Sequence, residues 1–140
     1  MMPEYFKKIK PIPYEGPKSK KTLAFKHYNP DEKVGKKTMK EHLRYSVAFW
    51  HTFKGTGSDP FGGPVYDRPW DTAANEMQRA EDAMQASFEF CTKLGAPFYC
   101  WHDRDISPEA DTLKETNQRL DRIVALAKKL QRDTGVKLLW

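Results

Sequence analysis

The sequence predicts an α/β protein built on a parallel sheet. Two well-capped amphipathic helical segments alternate with short apolar runs, and the order reads β, α, long loop, α, β, α, β. The second observation is the run Pro97-Phe98-Tyr99-Cys100-Trp101, which has no polar alternation. Such runs are expected of strands covered on both faces, as in parallel sheets. A third is the pair of capping boxes, Thr38 to Glu41 and Thr112 to Glu115, each followed by apolar residues at helical spacing.

Residues 1–21 are rich in Pro, Gly and Lys and are read as an extended basic arm, with residues 22–140 as the folded domain. Leu23-Ala24-Phe25-Lys26-His27-Tyr28 is expected as a first strand, closed by the turn signal Asn29-Pro30-Asp31. Met39, Leu43, Val47, Trp50 and Phe53 recur every three or four residues, which predicts a helix over about 39–51. Gly55, Gly57, Pro60, Gly62, Gly63, Pro64 and Pro69 make 54–72 a long loop, and loops of that length in compact domains usually carry function.

A second helix is expected over 75–94, with Met77, Ala80, Met84, Phe88, Cys91 and Leu94 on one side and Gly95 placed to end it. The apolar strand 97–101 follows. Thr112 then opens a third helix with Leu113, Leu120, Val124, Ala127 and Leu130 inward, stopped by Gly135. Val136-Lys137-Leu138-Leu139-Trp140 starts another apolar strand. A parallel sheet ending there needs further chain or a partner to cover it, so the domain is expected to be incomplete on its own.

With 140 residues, 39% hydrophobic and 31% charged, the chain has the composition of a single globular domain. No run of eighteen apolar residues occurs, and the N-terminus lacks the apolar core of a secretory signal. The expectation is a cytoplasmic protein without membrane contact. Cys91 and Cys100 sit in apolar runs and are read as buried hydrophobes rather than a disulfide or metal pair.

The net charge is +5, and residues 1–40 hold eleven Lys against four acidic residues, so the excess belongs to the arm. A basic arm suits nucleic acid or an acidic partner. Its lysines alternate with Pro and Gly rather than with stacking aromatics, which favours a solvated or subunit-contacting arm over a nucleic-acid surface.

His102-Asp103-Arg104-Asp105 directly follows the apolar strand, where parallel α/β sheets place their chemistry. An aspartate three residues on can turn back onto the His102 ring, fixing its tautomer and raising the basicity of the other nitrogen. Asp105 could equally serve only to cap the turn. Trp50 and Phe61 have two readings as well: packing aromatics, or faces for the C–H side of a sugar.

Taken together, the blocks Leu23 to Pro30, Phe49-Trp50-His51-Thr52-Phe53, Asp59-Pro60-Phe61-Gly62, Phe98 to Ile106 and Gly135 to Trp140 resemble the longer, class II type of xylose isomerase. The resemblance runs in order along nearly the whole chain. It implies the N-terminal part of a TIM (β/α)8 barrel, about three strands with their covering helices. It also implies interconversion of D-xylose and D-xylulose (and D-glucose with D-fructose), two divalent metal ions (Mg2+, Mn2+ or Co2+), and a homotetramer.

By the same resemblance His102 is the ring-opening histidine, Asp105 orients it, Trp50 walls the sugar, and Phe61 reaches a neighbouring subunit's site. The metal ligands and most of the barrel would lie beyond Trp140, leaving no metal site on this chain, which alone is expected to be inactive. Two departures are small: Trp101 stands where the family commonly has phenylalanine, and Ala110 where it often has glycine. The remaining alternative is a self-folding binding module that uses its basic arm.

Overall fold

In the computed structural model, residues 4–140 are described; Met1, Met2 and Pro3, part of the arm, lie outside the described residues. The chain forms a short antiparallel pair, β1 (Lys33–Val34) and β2 (Lys37–Thr38), then α1 (Met39–His42) and β3 (Ser46–Ala48). A single wide π-helical turn (Trp50–Lys54) follows, then the loop 55–75, α2 (Glu76–Leu94) and β4 (Phe98–Cys100). The chain ends with α3 (Asp103–Ile106), α4 (Leu113–Thr134) and β5 (Lys137–Leu138). A three-stranded parallel sheet, in the order β3-β4-β5, organises the molecule. Val47 pairs with Tyr99, and Tyr99 with Leu138.

Both long helices form where the sequence places them, and their ends show why. The Asn75 side chain accepts the Gln78 N–H at 3.1 Å, and the Thr112 hydroxyl accepts that of Glu115 at 3.2 Å, each satisfying an amide the helix cannot. Gly95 and Gly135 end the helices at φ +79° and +77°, a left-handed conformation that costs other residues about 1–2 kcal/mol.

The helices pack together on one side of the sheet. Met84, Phe88 and Cys91 of α2, Ile123, Ala127 and Leu130 of α4, and Tyr99 of β4 form the centre of the core. The Tyr99 ring lies 4.9 Å from that of Phe88, and the Gln131 amide donates to its hydroxyl at 3.0 Å.

Two expected elements are replaced. The helix over 39–51 stops at His42, because Ser46–Ala48 pairs in parallel with Phe98–Cys100. The same stretch also alternates: Val47 and Phe49 are buried while Ser46 and Ala48 are less so. Sheet pairing satisfies a row of backbone groups at once and overrides the local preference. The capping box does form, with Glu41 accepting from the Thr38 N–H at 2.7 Å and its hydroxyl at 2.6 Å, but it caps only one turn.

The segment Leu23–Tyr28 is not a strand of the sheet. Phe25 makes a single bridge to Tyr14 in the arm, its N–H donating to the Pro13 carbonyl at 2.8 Å. The first parallel strand is therefore β3, and the arm lies beside it.

Candidate functional site

His102 is the second residue after β4 and the N-cap of α3. Asp105, one turn on, uses one oxygen twice: Oδ2 accepts the His102 backbone N–H at 2.9 Å and lies 2.9 Å from the ring Nδ1. An ionised carboxylate only accepts, so Nδ1 carries the hydrogen and Nε2 of the neutral ring keeps a free lone pair. The capping and orienting readings of Asp105 are thus not exclusive. The side chain of His102 is 54% exposed and that of Asp105 18%, which leaves the imidazole open to a ligand while its partner is sheltered.

Trp50 opens the π-helix directly beyond β3. Its ring lies 4.5 Å from the His102 ring at an interplanar angle of 33°, a tilted stack. Trp140, after β5, completes the group at 5.9 Å from His102 and 5.8 Å from Trp50.

The register accounts for this gathering. With Ala48 opposite Cys100, the chain two residues on sets Trp50 beside His102, both at the carboxyl ends of parallel strands. Trp140 was not singled out from the sequence. Its position at the end of an apolar strand, the equivalent of the one preceding His102, was the signal.

Phe61 lies elsewhere, in the loop, and is 97% exposed. A turn holds it there: Asp59 Oδ1 accepts the Phe61 N–H at 2.7 Å, and Asp59 and Gly62 form a bridge. His27, His42 and His51 are exposed, and the His42 Nε2 lies 3.0 Å from the Val34 carbonyl.

Behind Asp105, away from the aromatic group, a cavity of about 420 Å3 is lined by Arg68, Asp71, Arg79, Arg104 and Ser107 among others. His102, Trp50 and Trp140 do not line it. Cys91 and Cys100 are free and buried, and burial pushes the Cys91 thiol up to about 12, which suits a packing role. Among the described residues no group of three or more His, Cys, Asp or Glu side chains converges to hold a metal ion. The donor set present does not fit a two-metal centre. Among the described residues no helix is long and apolar enough to cross a membrane.

No family model matches the chain. Curated relatives do. The chain is 53% identical over 137 residues to the xylose isomerase of Thermoanaerobacter sp. (strain X514), a match covering 98% of this chain and 31% of that protein. It is 55% identical over 136 residues to the xylose isomerase of Geobacillus kaustophilus (strain HTA426), covering 97% and 30%. To that of Caldicellulosiruptor bescii it is 51% identical over 137 residues. Along nearly all of its own length the chain is similar to xylose isomerases, and it spans about 31% of the length of these relatives.

Proposed function

We propose that this chain is the N-terminal portion of an aldose–ketose isomerase of the (β/α)8-barrel type, acting on D-xylose and D-glucose, and that it contributes the ring-opening half of the active site. The observation that carries the reading is the His102–Asp105 pair, with Nδ1 2.9 Å from the carboxylate and Nε2 free at the carboxyl end of a parallel strand. Sequence identity of 50–55% to xylose isomerases supports the same reading.

In a cyclic aldose the C1–O5 bond must break before a carbonyl exists. The neutral His102 Nε2 takes the proton of the anomeric hydroxyl as O1 becomes the carbonyl oxygen, and returns it to the ring oxygen O5 as that bond opens. Asp105 holds the ring in the tautomer this needs and stabilises the transient imidazolium. Trp50 gives the sugar an apolar wall and limits water near the opened chain.

Phe61 belongs to a site on a neighbouring subunit of a tetramer, which fits its exposure in this chain. The divalent cations of the family would be held by residues outside these 140. Nothing in the structure favours the rival module that binds through its basic arm.

The test is His102→Asn in a chimaera in which this chain replaces the matching 136 residues of the Geobacillus kaustophilus relative. Turnover of cyclic sugar should fall about 10²–10⁴-fold, the usual contribution of a positioned acid–base group, while divalent-metal affinity stays the same. Equal loss of both would remove His102 from this role.

A further inference from the structure

We infer that Arg68 and Trp70, in the loop and away from the sugar site, are positioning residues for His102: they clasp the π-helix so that Trp50 stays stacked on the imidazole. The inference rests on the ring-opening reading of His102 and adds the part of the chain that holds it in place.

A π-helical turn is rare, and one this short leaves its last carbonyls without partners of its own. The returning loop supplies them. The Trp70 indole N–H donates to the Phe53 carbonyl at 3.2 Å, and the Arg68 guanidinium donates to the Gly55 carbonyl from Nη2 at 2.8 Å and Nε at 3.3 Å.

Neither donor is free to drift. Trp70 is 6% exposed, with Phe53 5.2 Å, Phe6 6.0 Å and Tyr5 6.2 Å from its ring. The guanidinium lies over the rings of Tyr66 at 5.0 Å and Trp70 at 5.5 Å, and makes no ion pair among the described residues. A charged group spent wholly on one backbone carbonyl and two aromatic faces is serving local geometry. Gly55 belongs to the same device, because a Cβ there would come within 2.7 Å of the His51 carbonyl oxygen.

The consequence for His102 follows from lever length. Phe53 and Gly55 close the turn at one end, and Trp50 opens it at the other. Loosening the clasped end tilts the whole turn, and the Trp50 ring moves with it. The stack, 4.5 Å between centroids, is lost over a displacement of about 2 Å. Without that face His102 is free to rotate off Asp105, and Nε2 is no longer held toward a ligand.

The experiment reads the stack directly. In the chain labelled with ¹³C at its 4 histidines, the His102 ring C–H signals should lie upfield because of the Trp50 ring current, and His102→Asn should identify them. Trp50→Leu defines the unstacked position. Arg68→Met with Trp70→Phe should carry the His102 signals at least half-way to it and leave the other histidines in place, and restoring Arg68 as Lys should recover part of the shift.

In the chimaera the double variant should lower kcat about tenfold with KM changed less than about threefold, the pattern of misplaced catalytic geometry. If the double variant does not fold, Trp70→Phe alone, which keeps one aromatic ring but loses the indole N–H together with the fused five-membered ring, must move the same signals. His102 signals that stay fixed in a folded variant, or that ignore Trp50→Leu, overturn the inference. The shift requires no turnover, so an inactive chimaera would count against the isomerase reading and leave the clasp standing.

Discussion

Glu89 shows how much a single carboxylate decides. It accepts the backbone N–H groups of Tyr5 at 2.7 Å and Phe6 at 3.0 Å and pairs with Lys93 at 2.7 Å, tying the arm to α2. Burial pushes its pKa up, but the bonds from Lys93, Tyr5 and Phe6 outweigh that and hold the carboxyl below the usual value of 4.5. A depressed folded-state pKa means that the stabilisation is present above the unfolded value and is lost as pH falls through the folded one. Glu89→Gln should therefore lower stability by about 1–3 kcal/mol at pH 7, and the gap to the unsubstituted chain should close as pH falls through the lowered folded-state pKa. Urea titrations at several pH values measure this; a gap independent of pH would mean that the charge is not what ties the arm.

At the same scale His102 and Asp105 were legible because their contact is local, three residues apart in a turn. Arg68, Trp70 and Glu89 were not, since their partners lie 13, 17 and about 84 residues away. Nothing in a sequence marks which arginine will spend its charge on a carbonyl.

Elements follow the same division between local and distant causes. α2 and α4 were readable end to end, because apolar spacing, N-caps and left-handed glycines agree. The helix expected over 39–51 failed where the signals conflicted: the capping box was real, but the backbone groups of Ser46–Ala48 found a partner in β4. The strand expected at Leu23–Tyr28 failed because apolarity shows that a segment is covered and not what covers it; Phe25 pairs with the arm.

The helix layer carries most of the core, and Ile123, fully buried against α2 and the sheet, is its clearest probe. Ile123→Ala should cost about 2–5 kcal/mol, the usual range for truncating a buried aliphatic side chain. A loss below about 1 kcal/mol in chemical denaturation would mean that α4 is not packed as described.

For the whole molecule, the rhythm of strands and helices was enough to give an α/β fold with a parallel sheet, since capped helices between apolar runs leave few other arrangements. The sheet's strand order then brings Trp50, His102 and Trp140 together from three separate strand ends. That convergence was only half legible: His102 and Trp50 were singled out, Trp140 was not although it ends an apolar strand, and Phe61 stands apart at the surface. Leu138 and Trp140 remain exposed on β5 and beyond it.

The central claim is that these residues serve as the ring-opening part of a sugar isomerase, and the chimaera with the Geobacillus kaustophilus relative tests it most directly. With Mg2+ or Mn2+ present, it should convert xylose to xylulose at a kcat within roughly tenfold of the parent enzyme. A chimaera that folds and assembles like the parent, yet converts no xylose, would contradict the account.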